Sequence, residues 1–335
     1  MTTHPEPRPP LRIAYVGNFQ PEHSTENHVA ETLRRMGHHV VQLQENDEAT
    51  WRAGAVPRSM DSGPDLVLWT RTGWDPPVPA DVQQRMLESC RTAHCPTVGF
   101  HLDRWWGLNR EPQISDQPFF RCDLVCTADG GNDDRWADAG VEHLWLPPAV
   151  AEFECGWGYL DPRMASEVAF VGSWESYHAE WPWRRRLVRL LGSRYGARQF
   201  RTWPERGEAV RGARLRNLYA SATVIVGDSC LAGGATRYWS DRIPETLGRG
   251  GLLIHPWVEG LEDSYTDHEH LMMVEPESIE AMFGEIDTVL AMSYGEQMEI
   301  RRAGMLHVMQ HHTYRQRMET LLGELDRRDL WAPAR

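Results

Sequence analysis

The sequence predicts an α/β chain of two doubly wound domains, each a parallel sheet with helices on both faces, set so that the domains face a cleft. Three observations carry this. The 335 residues exceed the roughly 100–200 expected of one domain. Short apolar runs alternate with helical stretches through both halves. Pro147-Pro148 interrupts the alternation, and an irregular stretch, Ala149–Arg163, follows before it resumes.

In the first half, β-branched or large apolar runs bounded by turn residues predict strands at Arg12–Gly17, His39–Leu43, Asp65–Trp69, Thr97–His101, Asp123–Thr127 and Glu142–Leu146. In the second, strands are expected at Val168–Gly172, Ala197–Thr202, Thr223–Val226, Gly251–Ile254 and Leu271–Val274. Helices are expected between them at Trp183–Arg194, Arg211–Ser221 and Ile243–Gly248, with more at Pro276–Leu290 and from Tyr294 onward. The domains are therefore drawn as 1–149 and 150–335, with the terminal helix free to return to the first.

Composition narrows the function classes. A formal net charge of -13 disfavours DNA, because phosphate binding needs a basic face. All 35 basic residues are arginine, which excludes Schiff-base and P-loop lysine chemistry. No apolar run nears the ~18 residues of a membrane span, and the N-terminus lacks a signal-peptide core. A cytoplasmic setting is expected, with the six cysteines reduced.

Ligands of open α/β sheets bind beyond the carboxyl ends of the strands, and the polar residues there are the candidates. After the first strand lie Asn18, His23, Ser24 and Glu26, expected at the acceptor; Ser24 has a helix-capping use of equal weight. His23 and His28 read as polar contacts, not as a metal pair, since no third ligand follows at helical spacing. After the fourth strand, His101 and Asp103 are candidate acid/base groups, and Arg104 and Trp105 candidate acceptor contacts. Arg71-Thr72-Gly73-Trp74 and the Asp129–Asp134 cluster are ambiguous between capping and chemistry. In the second half, Gly172 and Ser173 offer backbone amides to a diphosphate. Gly233-Gly234, Arg237, Glu245, Thr246 and Gly250 surround a helix with proline at its start and glycine at its end.

Pro244-Glu245-Thr246-Leu247-Gly248-Arg249-Gly250-Gly251 resembles the E-A-x-A-x-G motif of GT-B glycosyltransferases, which have two Rossmann-like domains. That region and the His312-Thr313-Tyr314 ending with Arg317 resemble the CgeB-like, spore-maturation group, and the Gly37-His38-His39-Val40 end of the first helix is similar to the G-H-x-V of GT-B N-terminal domains. Tyr15–Phe19 and His23–His28 are similar to segments of phage-encoded glycosyltransferases, which implies a host-cytoplasm setting and a virion protein or modified DNA as acceptor. The resemblance implies a nucleotide-sugar donor whose ribose is held by Glu245, and a hydroxyl acceptor on a protein, glycan or small molecule. Arg237 stands where many retaining members carry a second glutamate, so the stereochemical course stays open, and Arg237 is expected to neutralise the diphosphate instead. The chain contains no D-x-D pair, so neither a metal nor another cofactor is expected. Rival readings are an epimerase of the same fold, a hydrolase with a metal on His255, Asp267, His268 and His270, and a non-catalytic sugar-nucleotide binder.

Overall fold

A computed structural model describes residues 9–71, 77–175, 178–204, 209–231, 234 and 236–331. Apolar strand residues form two all-parallel sheets. The first is built in the chain order β1 (Arg12–Gly17), α1 (Thr25–Arg35), β2 (His39–Gln44), β3 (Leu66–Thr70), α2 (Ala80–Thr92), β4 (Thr97–His101), α3 (Gln113–Asp116), β5 (Leu124–Thr127), α4 (Asp133–Asp138) and β6 (His143–Trp145). Its strand order is β2-β1-β3-β4-β5-β6. Strands β3, β4 and β5 are buried on both faces, as parallel strands covered by helices must be.

The second sheet follows as β7 (Ser166–Val171), α5 (Pro182–Gln199), β8 (Phe200–Trp203), α6 (Gly212–Ser221), β9 (Ala222–Val226), α7 (Arg242–Gly248), β10 (Leu253–Pro256) and β11 (Met272–Val274). Three helices complete the chain: α8 (Ile279–Ala291), α9 (Tyr294–His311) and α10 (Tyr314–Arg327). The order is β11-β10-β9-β7-β8, so each sheet reverses direction beside its first strand, between β1 and β3 and between β7 and β9. Crevices at such reversals are where open sheets bind ligands.

The expected helix from Tyr294 onward is two helices. His312 ends α9 outside helical geometry, and a capping box of Thr313 and Gln316 starts α10 anew. That break returns the chain to the first domain. Tyr314, Met318, Leu321, Leu322 and Leu325 of α10 pack with Ile13, Tyr15, Val29 and Leu33 in one apolar cluster. Arg317 clamps the crossing: its Nε donates to the Pro147 carbonyl at 2.7 Å, and an Nη to His312 Nδ1 at 2.9 Å. Beside it Val150 and Thr313 pair as a parallel bridge. The expected strand at Ala197–Thr202 starts later, at Phe200, because Gly196 (φ 63°) breaks α5 and the chain re-enters the sheet only after it.

Candidate active site

A cleft of about 870 Å³ lies between the two sheets at the carboxyl ends of their strands. One wall is the loop after β1, the ends of β3 and β4 and the start of α1; the other is the loop after β7, the start of α6 and the first turn of α7. Ala149, Val150 and Tyr314, at the two crossings between domains, complete its lining.

The α7 wall carries the charge. Asp241 and Glu245 sit one helical turn apart and both line the cleft. Burial opposes ionisation of Glu245, but Arg249, Arg242 and Arg211 outweigh it and hold this carboxyl below its usual range. Asp241 moves the other way, raised by desolvation and then by Glu245. Arg249 Nη1 lies 3.8 Å from Glu245, and its Nη2 reaches Glu154 at 3.3 Å. Arg242 leans over the turn after β7: a Cβ on Gly172, whose φ is +134°, would meet its guanidinium at 2.7 Å. Arg211 opens into the cleft directly. Two carboxylates framed by three guanidiniums suit a ligand with hydroxyls beside an anionic group.

On the opposite wall Ser24 caps α1, its Oγ accepting from Asn27 N at 3.1 Å, and also lines the cleft. Glu26 is buried at the cleft surface, against Gly17, where a Cβ would come within 2.8 Å of its Cγ. His23 and His28 face the cleft together, and Glu154 from the segment joining the domains comes within ligand distance of both. The absence of a third ligand near in sequence is therefore no argument against a metal here. His101 Nδ1 accepts the Asp103 amide at 3.0 Å, which leaves the ring proton of the neutral imidazole on Nε2. In that tautomer His101 is a hydrogen-bond donor, the acid half of the acid/base pair named from the sequence. Asp103, more exposed, lines the cleft beside it.

Several expected site residues lie elsewhere. Trp105 is wholly buried, its ring edge-on to His101 and Phe120, and cannot face an acceptor. Its amide and that of Trp106 are held by Asp129 at 2.8 and 2.7 Å, so this aspartate of the ambiguous cluster organises backbone. Arg104 is buried and donates to the Gly234 carbonyl at 2.9 Å, joining the domains. Arg237 is absent from the cleft lining: it pairs with Asp263 at 2.5 Å and covers the Trp145 ring, because its φ of +48° turns it onto the first domain. Asn18 serves the loop, accepting from Gln44 Nε2 at 3.2 Å. Thr246 points into the second core, Gly250 is covered by Trp157, and exposed Ser173 uses its carbonyl toward Arg184 at 3.4 Å. Gly233 and the Thr72–Trp74 segment lie outside the described residues. His255 is buried, its ring pushed down to about 4 by desolvation, and donates to the Pro256 carbonyl. Among the described residues it forms no group with Asp267, His268 and His270 whose ligand atoms lie within 4.8 Å of one another, which speaks against the hydrolase reading.

Sequence reasoning missed Arg211 and Asp241 in the lining and Arg242 behind it; Arg71 it left ambiguous, and Tyr314 it named only within the terminal motif. Asp241 and Arg242 adjoin the Pro244-Glu245 motif, so a helix wheel drawn from Glu245 finds Asp241 four residues back.

Residues 175–323 match the family described as glycosyl transferase-like. Comparison with curated protein sequences gives no match. Among solved structures, Anabaena HepE in complex with UDP and glucose is similar at a TM-score of 0.62 and 10% identity, over 95% of this chain and 100% of that one. Sucrose-phosphate synthase from Thermosynechococcus elongatus is similar at 0.62 and 12%, over 94% and 98%. A glycosyltransferase from Rickettsia africae is similar at 0.59 and 11%, over 96% and 99%. Residues 175–323 thus carry a glycosyl transferase-like signature, and the two parallel-sheet domains have the GT-B fold of these structures from end to end.

Proposed function

We propose that the protein transfers a sugar from a uridine diphosphate donor to a hydroxyl acceptor. The observation that carries this reading is Glu245, an ionised carboxylate at the mouth of α7 with Arg249, Arg242 and Arg211 around it. The carboxylate takes both ribose hydroxyls as hydrogen-bond donors. Arg211 in the cleft and Arg242 behind it neutralise the diphosphate, a role that needs no metal. The sugar then projects toward His101, whose Nε2–H donates to it, and the acceptor enters beside Asp103 and Ser24. Uridine is chosen because the similar Anabaena HepE structure is a complex with UDP and glucose. A net charge of -13 favours a protein, glycan or small-molecule acceptor over DNA. The motif likeness to the CgeB-like group and to phage enzymes supports a cytoplasmic enzyme acting inside a host cell.

A thermal-shift series with UDP-sugars, followed by product detection, tests this. A donor at 100 times its Kd should add about 2.7 kcal/mol of stability. Glu245→Ala should abolish the shift while leaving the unliganded melting temperature near wild type. If no nucleotide sugar shifts wild type, the reading is wrong.

A further inference from the structure

His23, His28 and Glu154 come from three separate pieces of chain: the loop after β1, the first half of α1 and the segment joining the domains. One ligand atom of each lies within 4.8 Å of the other two. Neither imidazole nitrogen has a hydrogen-bond partner among the described residues. The rings meet only edges: His23 and His28 at 6.1 Å, and His28 and Phe153 at 5.6 Å. Arg249 and Arg216 both address Glu154 through Oε2, so Oε1 has no such partner either. We propose that these three side chains bind one transition-metal dication of the zinc class, fastening the ligand loop and α1 to the interdomain segment.

The donor set selects the metal. Two imidazoles and a carboxylate suit Zn²⁺, Co²⁺ or Ni²⁺, whereas Mg²⁺ prefers oxygen ligands and retains its waters. Tetrahedral ligand atoms at ~2.0–2.2 Å from zinc stand roughly 3.3 Å apart, so the present spacing closes by side-chain rotation. His23 is already seated across the domain boundary, 3.0 Å from the Cβ position of Gly212 at the start of α6. The fourth position opens to the cleft, since both histidines line it. The two arginines that share Glu154 oppose a dication and set the affinity well below that of an all-cysteine zinc site. The site shares Arg249 with Glu245 and adjoins Arg211 through Gly212, but the proposed metal binding does not rest on the sugar chemistry.

The test uses the full chain, stripped with a chelator and titrated with ZnCl₂ by calorimetry, with CoCl₂ as a spectroscopic probe. One equivalent of Zn²⁺ should bind and raise the melting temperature, Co²⁺ should develop visible ligand-field absorption, and MgCl₂ should do neither. His23→Ala and His28→Gln should each weaken Zn²⁺ binding tenfold or more, with metal-free melting temperatures close to wild type. Should one variant fail to fold, the other carries the comparison. The proposal is overturned if wild type shows no saturable one-equivalent binding, or if both variants bind as wild type does. It is equally overturned if binding is lost only in His307→Ala, which would assign the ion to the group where His307 and His312 Nε2 stand 3.2 Å apart.

Discussion

His101 shows how one backbone contact decides a side chain's chemistry. With Nδ1 occupied by the Asp103 amide, the proton of the neutral ring sits on Nε2. A donor aimed at developing negative charge typically contributes 10²–10³ in rate. His101→Ala is therefore expected to lower kcat by about 10²-fold with little change in KM for the donor. A large rise in KM with kcat intact would assign His101 to ground-state binding instead. Glu45 makes a separate point about stability. Buried beneath the β1 loop, with Oε2 lacking a hydrogen-bond partner among the described residues, its carboxyl is raised by desolvation and by Glu26 to about 7. Because the folded state favours the protonated acid, Glu45 lends most stability below the unfolded pKa of about 4.3. That contribution is lost as pH rises through about 7. Glu45→Gln should thus stabilise the protein by up to about 3 kcal/mol at pH 8 and by almost nothing at pH 4. Urea midpoints at the two pH values would expose an error, since equal shifts at both contradict a titrating Glu45.

Among the elements, the turn after β7 and the first turn of α7 work as one unit, because Gly172 leaves the space that the Arg242 guanidinium fills. Gly172→Ala forces a side chain into backbone geometry at φ +134° and displaces that arginine. A cost of about 1–3 kcal/mol in stability is expected, together with weakened donor binding. Melting curves with and without UDP-sugar separate the two, and an unchanged donor shift would remove Arg242 from the binding site. The strands were legible in the sequence because parallel strands are continuous apolar runs, and β1 and β4 fall where the pattern put them. Glu245 was legible because a proline-marked helix start is a local signal. Arg237 was not: only the fold shows that its backbone turns it onto Trp145. The partnership of Glu154 with His23 was equally hidden, since more than a hundred residues separate them and spacing rules see only neighbours. The break at His312 escaped notice because Thr313 and Gln316 cap a new helix without any glycine or proline to mark it.

For the molecule as a whole, α10 makes the first domain's core depend on residues encoded after the second domain. Arg317 secures that return, its buried guanidinium donating to Pro147 and His311 carbonyls. Arg317→Met should cost about 2–3 kcal/mol, the worth of charge-assisted hydrogen bonds to otherwise unpaired carbonyls. Loss is expected in both domains together, read as one shared transition by near-ultraviolet circular dichroism and calorimetry; a melt confined to one domain would refute the coupling. No helix among the described residues is long and apolar enough to cross a membrane. The bridge between Val150 and Thr313 has a mechanical meaning as well. It is one of several staples between the domains, since Arg104 also reaches the Gly234 carbonyl, Arg110 pairs with Glu180, and the Trp145 indole donates to the Arg237 carbonyl. A ligand in the cleft therefore meets two walls already fastened to each other, so its fit is set by the whole molecule and not by either domain alone.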